Sequence, residues 1–120
     1  MNEPTMLPFH GGDYPLGTVE CGPGWHEIIA RLHKHLLETD PDYQIFQIKE
    51  KFGGLRFYTD GLSEDGYKAV NEAEAESFMV CEECGEPGDL DTRTYWVKTL
   101  CETHKNIRRQ LEQARKDSTP

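Results

Sequence analysis

Cys81-Glu-Glu-Cys84, followed after sixteen residues by Cys101-Glu-Thr-His104, is the stretch that decides the fold of the C-terminal third. Zinc prefers four soft or borderline ligands in a tetrahedron, and two short chelating pairs joined by a loop supply them without a large scaffold. Gly85 supports this interpretation, because a turn that aims two thiolates at one metal needs a residue with positive φ after the second cysteine. The spacing therefore predicts one structural zinc ion held by Cys81, Cys84, Cys101 and His104.

Two further hypotheses concern the cysteines and histidines. A redox dithiol would account for the first ligand pair, but it leaves the matching spacing of the second pair unexplained. A second metal site could combine His10, Cys21 and His26. The simpler interpretation is that the histidines, including His33 and His35, are exposed or cap helix ends.

The residues around the ligands predict the rest of a finger over 80–117. A Pro-Gly turn and the β-prone run 92–97 separate the two ligand pairs, and a helical pattern with Ile107 and Leu111 follows the second pair. A tight turn that carries the first ligand pair (the knuckle, residues 81–85), then a hairpin and then a helix are typical of a treble-clef finger. In that arrangement the positive end of the helix faces the metal-thiolate centre.

Residues 23–79 have the pattern of a small mixed core. Apolar side chains recur at spacings of three and four from Gly24 to Glu38, which predicts a helix whose inner face carries Trp25, Ile28, Ile29, Leu32 and Leu36. Two β-rich runs, 43–52 and 55–59, are joined across Gly53-Gly54 and predict an antiparallel hairpin. A second helix is predicted over 63–78. The expected fold class is therefore α+β, with a helix, a hairpin, a second helix and a C-terminal treble-clef-like zinc finger.

Residues 1–22 are rich in proline and glycine and show neither helical nor strand periodicity, which predicts an irregular N-terminal arm. No apolar run approaches the length of a membrane span and no signal peptide is visible, so we expect a soluble, cytoplasmic protein. Only 36% of the residues are hydrophobic and the mean hydropathy is -0.74. Because three of the four cysteines are assigned to the metal, we expect zinc and not disulfides to cross-link the fold.

The net charge of -9 is unevenly distributed. Between Asp60 and Asp91 eleven acids face one base, Lys68, so this segment alone carries a charge of -10. Such a run is most simply a solvated face that keeps a small protein soluble. It could also imitate the charge of a nucleic acid toward a basic partner, while the basic residues of the last helix complement the helix dipole.

A cationic segment lies in the predicted hairpin, Lys49-Glu-Lys-Phe-Gly-Gly-Leu-Arg-Phe-Tyr58. Period-two alternation puts Lys49, Lys51, Arg56 and Tyr58 on one face, and Ile48, Phe52, Leu55 and Phe57 toward the core. The cationic face would suit a phosphate, a nucleotide or an acidic protein segment, particularly if the Gly53-Gly54 amides can approach the anion. A solvent-facing strand pair is the alternative.

Nucleic-acid chemistry at the finger is disfavoured. A metal-dependent nuclease of this type needs a histidine on the hairpin to activate water, and residues 85–100 contain none. A site closed by four protein ligands also leaves no position for substrate. Acidic residues outnumber the basic Arg93 and Lys98 around the ligands, which disfavours phosphate approach. For Trp25 and Trp96, burial in a core or between domains is expected.

The segments Cys21-Gly-Pro-Gly-Trp25 and Lys49–Tyr58, taken with the zinc ligands, resemble a family of small, largely uncharacterised proteins encoded by phages and bacteria. The resemblance covers roughly residues 21–105. It implies a bacterial host cytoplasm and a role in countering host defence, either by blocking a defence protein or by capturing a nucleotide signal.

Three functions follow as hypotheses. The first is a non-enzymatic binding protein that acts on a partner protein, with the acidic segment 60–91 as one candidate surface. The second is capture of an anionic ligand at Lys49, Lys51, Arg56 and Tyr58. The third is a zinc-finger nucleic-acid binder or processing enzyme. The sequence does not specify an oligomeric state.

Overall fold

Three helices and two small sheets make up the part of the chain that this computed structural model describes, residues 19–117. Along the chain they are β1 (Val19–Glu20), α1 (His26–Thr39), β2 (Gln44–Lys51), β3 (Gly54–Asp60), α2 (Glu64–Ser77), β4 (Asp89–Asp91), β5 (Lys98–Leu100) and α3 (Glu102–Asp117). A short 3₁₀ turn, Pro23–Trp25, leads into α1. The predicted α+β class is confirmed.

The larger sheet has the strand order β1-β2-β3. β1 runs parallel to β2, with Val19 opposite Ile48, and β2 pairs with β3 in the antiparallel sense. The prediction of an irregular arm is therefore wrong at Val19–Glu20, because the edge of β2 offers these residues backbone partners. The rest of the arm, residues 1–18, lies outside the described residues.

The hairpin between β2 and β3 turns at Phe52 and Gly53. Both residues have positive φ, 54° and 85° respectively, as a two-residue turn matched to strand twist requires. The prediction that Phe52 faces the core is wrong, because a turn residue leaves the strand alternation and its ring is 70% exposed. Gly54 is already in β3, paired with Lys51.

Helices α1 and α2 share one core with the inner face of the larger sheet. The core is formed by Trp25, Ile28, Ile29, Leu32, Leu36, Tyr43, Ile48, Leu55, Phe57, Val70 and Ala73. His33, expected on the surface, is buried and bonds through Nδ1 to the hydroxyl of Tyr43. Burial raises the pKa of the Tyr43 hydroxyl well above its usual value, so this hydroxyl stays protonated and makes a polar contact inside the core.

Helix α2 begins where the sequence predicts it. The hydroxyl of Ser63 accepts a hydrogen bond of 3.1 Å from the N–H of Gly66 and so caps the first turn. The carboxylate of Asp40 in turn accepts hydrogen bonds of 3.0 Å from the N–H and the hydroxyl of Ser63. The end of α1 and the start of α2 are thereby tied together.

The second sheet is the β4–β5 hairpin, with Asp89 opposite Leu100 and Asp91 opposite Lys98. The β-prone run 92–97 forms the loop between these strands, so the prediction of a strand there is wrong. Its Thr94 hydroxyl accepts a hydrogen bond of 3.2 Å from the N–H of Trp96, a local turn that competes with strand pairing. Trp96 is 62% exposed, which also corrects the expectation that it is buried.

Candidate metal centre

Four ligand-type side chains converge at the C-terminal end of the molecule. They are the predicted set, Cys81, Cys84, Cys101 and His104, and their ligand atoms all lie within 4.8 Å of one another. The Sγ atoms of Cys84 and Cys101 are 3.8 Å apart. His104 Nδ1 lies 3.6 Å from Cys81 Sγ and 3.2 Å from Cys101 Sγ. This group is compatible with a bound metal ion.

The first pair of ligands lies on a tight knuckle. Gly85 has φ 84°, as the sequence predicts, and its N–H donates a hydrogen bond of 2.9 Å to the carbonyl of Cys81. The N–H of Cys81 donates to the carbonyl of Glu86 at 2.7 Å. These bonds turn the chain back on itself and aim the two thiol groups in the same direction.

The second pair lies at the start of α3. Cys101 immediately precedes the helix and its carbonyl accepts the N–H of Lys105 at 2.9 Å, while His104 belongs to the first helical turn. The backbone N–H and side chain of His104 lower the pKa of the Cys101 thiol to about 7. The helix terminus therefore favours a thiolate at this position, as the sequence predicts.

The thiol groups also affect one another. The backbone N–H of Glu86 favours a thiolate at Cys84, but desolvation and the nearby thiols of Cys81 and Cys101 raise its pKa to about 11. Several thiolates in contact repel each other, and a divalent cation between them removes that repulsion. The donor set thus suits a metal ion better than a free cluster of thiols.

The segment before α1 covers the knuckle. The N–H of Gly24 donates a hydrogen bond of 2.7 Å to the carbonyl of Glu82, and the indole N–H of Trp25 donates one of 2.8 Å to the carbonyl of Val80. A Cβ on Gly24 would lie 2.0 Å from the carbonyl oxygen of Cys81, so only glycine permits this approach. The knuckle therefore packs directly against the backbone of Gly24 and the indole of Trp25.

The turn of the β2–β3 hairpin packs against the β4–β5 hairpin. The buried hydroxyl of Thr99 donates a hydrogen bond of 2.6 Å to the carbonyl of Gly53, and a Cβ on Gly53 would lie 2.6 Å from Leu90 Cδ2. The N–H of Gly53 donates to the carboxylate of Glu50 at 2.8 Å. This amide is already paired, which corrects the idea that it is open to an anion.

Two carboxylates of the C-terminal finger are buried, and no local pattern in the sequence predicts either of them. Glu82 and Asp91 are each 3% exposed. Glu82 accepts hydrogen bonds from the N–H of Gly22 at 2.9 Å and from Lys98 Nζ at 3.3 Å. Nothing in the sequence separates Glu82 from its exposed neighbour Glu83, because the partners of Glu82 come from distant segments.

Asp91 holds the loop of the β4–β5 hairpin against α3. Its carboxylate accepts hydrogen bonds of 2.7 Å from Arg93 Nε and 3.2 Å from Arg108 Nη1. The hydrogen bond from Arg93, together with the charge of Arg108, holds the pKa of Asp91 well below its usual range. Folding therefore favours the ionised form of this carboxyl.

The acidic run 60–91 is less free than its sequence indicates. Five of its eleven acids bond within the molecule: Glu74 to the N–H of Phe57, Glu76 to Arg31, Glu82 to Lys98, Asp89 to Lys105 and Asp91 to Arg93. Five of the eleven carboxylates are therefore bonded within the molecule, which interrupts a continuous acidic surface.

The residues of the predicted anion site share one face of the larger sheet. Lys49 lies directly opposite Arg56, and Lys49 Nζ is 5.8 Å from the centre of the Tyr58 ring. Lys51 lies nearby at the end of β2. Glu20 of β1 lies opposite Lys49 and adds a carboxylate to this face, which the expected irregular arm did not predict.

Within residues 19–117, the four-residue group is the one cluster of three or more metal-ligand side chains that was found. Cys21 packs against the core, where desolvation and the charges of Glu82 and Glu50 raise the pKa of its thiol to about 12. His10, the third member of the hypothetical second site, lies outside the described residues.

No family model, curated protein or solved structure matches this chain. In the part of the chain that the structure describes, no helix combines the length and apolar character that crossing a membrane requires.

Proposed function

We propose that this chain is a non-enzymatic binding protein, stabilised by one structural zinc ion in a treble-clef-like finger, that acts by binding a partner protein. The main support is that four protein side chains converge and can fill all four positions of a tetrahedral metal ion. A tetrahedral zinc ion with bonds of about 2.0–2.3 Å needs ligand separations of about 3.5–3.8 Å. The separation of 3.8 Å between Cys84 and Cys101 and that of 3.6 Å between Cys81 and His104 agree with this requirement, whereas the 3.2 Å between Cys101 and His104 is shorter.

The donor chemistry supports zinc in a structural role. Three thiolates and one imidazole are soft to borderline ligands, which favour zinc over calcium or magnesium. Four protein ligands leave no position for water or substrate, whereas catalytic zinc sites keep one open. Residues 85–100 also lack a histidine that could serve a nuclease as general base. Both points disfavour an enzyme.

Exposed aromatic side chains support a role in protein binding. Tyr95 is 97% exposed, and Phe46, Phe52 and Trp96 are each more than half exposed. Large aromatic groups contribute strongly to protein interfaces and are costly to leave in water. A phage-type role in a bacterial host, with a defence protein as the partner, fits the sequence resemblance. Because five of the eleven acids in the run 60–91 are bonded within the molecule, imitation of a nucleic acid by this run is less well supported than binding through exposed aromatic groups.

Affinity capture tests the proposal. The tagged chain is expressed in a bacterial host, and the retained proteins and small molecules are identified by mass spectrometry. Each candidate partner is then purified and its affinity measured by calorimetry. A purified protein that binds the folded chain with a dissociation constant below about 10 μM, but not a chelator-treated chain, supports the proposal. Failure of every purified candidate to bind contradicts it.

A second candidate function is capture of a nucleotide-like anion on the face that carries Lys49, Lys51, Arg56 and Tyr58. The cross-strand pair of Lys49 and Arg56 favours it, since it places a planar guanidinium beside an ammonium group. Against it, the amide of Gly53 is bonded to Glu50 and Glu20 lies on the same face.

Thermal shift with a nucleotide panel tests this second candidate. A nucleotide that stabilises the wild type, but not Arg56→Glu, supports ligand capture. Lys34→Glu, an exposed change of equal charge on α1, is the matched control and should retain the shift. The absence of any shift removes the candidate. Salt-sensitive binding to duplex DNA would instead point to the nucleic-acid alternative.

A further inference from the structure

Three cations lie together on the outer face of the β2–β3 hairpin, the face that does not contribute to the core. Lys49 lies directly opposite Arg56, and Lys51, two residues further along β2, lies opposite Gly54. Side chains that are opposite each other across two strands are about 5 Å apart at Cβ, and alternate residues of one strand are about 7 Å apart. Lys49, Lys51 and Arg56 therefore form one small surface, the cationic patch.

The arrangement of this patch opposes folding. Like charges that are directly opposite each other in an antiparallel pair repel and destabilise the sheet, and Lys49 and Arg56 are such a pair. Glu20 lies on the other side of Lys49, but its carboxylate accepts a hydrogen bond of 3.0 Å from Gln47 Nε2. Residues that act against the stability of a fold are typical of functional surfaces.

The other arginines and lysines near carboxylates show what this patch lacks. Within residues 19–117, ion pairs engage five cations, namely Arg31, Arg93, Lys98, Lys105 and Arg108, and no member of the patch. With 22 acidic and 13 basic residues, the chain has carboxylates in excess. The charge of the patch is therefore available to a partner.

Aromatic rings hold the two ammonium groups of the patch in place. Lys49 Nζ is 5.8 Å from the centre of the Tyr58 ring, and Lys51 Nζ is 5.6 Å from the centre of the Phe52 ring. A ring attracts a cation but carries no net charge, so it positions the ammonium group without neutralising it. The two rings are 42% and 70% exposed. The patch thus presents positioned charges beside aromatic surface, which favours binding of a protein segment.

The free edge of β3 does not offer a place for an added strand. The N–H groups of Leu55 and Phe57 point away from β2, and each donates a hydrogen bond of 2.9 Å to α2, the first to Ser77 Oγ and the second to the carboxylate of Glu74. Because these donors are already bonded, a partner strand cannot pair with them. A partner therefore reaches the patch through its side chains, across the face of the sheet.

The extent of the patch separates a protein segment from a nucleic acid. Glu20 lies beside Lys49, and Asp60 lies at the far end of β3, four residues from Arg56 or about 13 Å along the strand. Single-stranded nucleic acids bind along continuous cationic tracks. Carboxylates limit the patch on two sides, so it suits a few anionic groups and not a long phosphate backbone.

The spacing of the patch separates a protein segment from a single phosphate. Phosphate groups are commonly held by converging backbone amides, but the N–H of Gly53 is bonded to Glu50. Lys49 and Lys51 are instead about 7 Å apart, which is also the separation of alternate residues in an extended peptide. Carboxylates at alternate positions of an extended segment therefore match these two ammonium groups.

We propose that the cationic patch binds an acidic, extended segment of a partner protein. This rests on the proposed function of protein binding, and it names the surface and the chemistry of the partner. Carboxylates of the segment face Lys49, Lys51 and Arg56, and its apolar groups contact the rings of Tyr58 and Phe52.

Peptide selection tests this inference. A displayed library of random 12-residue peptides is selected on the zinc-loaded full chain, and the enriched peptides are titrated by fluorescence anisotropy. We expect net negative peptides with acidic residues at alternate positions. Arg56→Glu and Lys51→Glu should each weaken their binding about tenfold or more, since each change replaces attraction by repulsion. Lys34→Glu, an exposed change of equal charge on α1, is the matched control and should retain binding.

Thermal unfolding of Arg56→Glu provides a readout that a purely structural role would move in the opposite direction. This change turns the like-charge pair with Lys49 into an opposite-charge pair, so the unfolding temperature should rise while peptide binding is lost. A lower unfolding temperature would show that these cations serve the fold, and would overturn the inference.

The remaining outcomes are equally decisive. Enriched peptides that are not acidic, peptides that bind both patch variants as tightly as the wild type, or a library that yields no binder would overturn the inference. Binding of ATP or of a 12-nucleotide oligothymidine that is tighter than that of every selected peptide, and that is lost in Arg56→Glu, would reassign the patch to those ligands.

The same variants separate this inference from the function on which it rests. A purified partner protein that binds Arg56→Glu and Lys51→Glu as tightly as it binds the wild type removes the patch but keeps the binding function. A chain for which no purified partner can be found, and whose patch binds no peptide, loses both.

Discussion

The indole N–H of Trp25 donates a hydrogen bond of 2.8 Å to the carbonyl oxygen of Val80, the residue before the first cysteine of the metal centre. Trp25 is completely buried at the start of α1, so this bond links the hydrophobic core to the knuckle. The core and the metal centre therefore support each other. A change in either is expected to alter the stability of both.

Trp25→Phe tests this link. Phenylalanine keeps much of the apolar contact but removes the N–H, so the carbonyl of Val80 loses its partner. We expect a loss of about 1–3 kcal/mol in the free energy of unfolding, measured by urea titration of the zinc-loaded protein. Trp96→Phe is the matched control at an exposed position and should change stability by less than about 0.5 kcal/mol. Equal effects of the two changes would contradict the link.

Gly24→Ala tests the close approach of the knuckle to the start of α1. A Cβ there meets the carbonyl oxygen of Cys81 at 2.0 Å, so the backbone of the knuckle must move. We expect destabilisation of about 2 kcal/mol or more and faster transfer of zinc to a colorimetric chelator.

Gly66→Ala is the control for this prediction. Its new Cβ meets the Asp40 carboxylate at 2.5 Å and Leu62 Cβ at 3.1 Å, so it also disturbs packing, but at the start of α2 and not at the knuckle. We therefore expect a loss of stability without faster zinc release. Wild-type stability and zinc release in Gly24→Ala would show that the knuckle does not depend on this contact.

Asp91→Asn tests the clamp between the 92–97 loop and α3. Removing the charge takes the main anionic partner from Arg93 and leaves Arg108, which is 15% exposed, with only Glu112 at 3.6 Å, and we expect a loss of about 2 kcal/mol near pH 7. Because folding lowers the pKa of Asp91, its contribution is complete above the unfolded pKa of about 4 and is lost as the pH falls further.

The difference in stability between wild type and Asp91→Asn should therefore be constant from about pH 8 to pH 5. It should narrow only below about pH 4. Urea titrations across this range provide the measurement. A difference that disappears between pH 7 and 5 would mean that another group carries the effect.

Local patterns in the sequence predicted much of this fold. The periodicity from Gly24 to Glu38 predicted α1, and the paired spacing of the cysteines and His104 predicted the cluster that the structure brings together. Ser63 marked the start of α2, because its hydroxyl can cap the first turn. Each of these signals depends on residues that are close in the sequence.

The errors arose where distant contacts decide the outcome. Glu82 is buried and Glu83 exposed because Gly22 and Lys98, remote in sequence, bond only the former. Phe52 leaves the strand alternation because Phe52 and Gly53 form the turn of the hairpin, and this turn packs against Leu90. The run 92–97 is β-prone in composition, yet Arg108 from α3 binds its backbone and holds it as a loop.

Metal content combined with thermal unfolding tests the central claim, that zinc bound by Cys81, Cys84, Cys101 and His104 builds the protein. We predict one zinc ion per chain by elemental analysis. We also predict that the cooperative unfolding transition is lost after treatment with a chelator or in Cys84→Ser, since the finger has little core of its own. A metal-free chain that unfolds cooperatively at the wild-type temperature would contradict the claim.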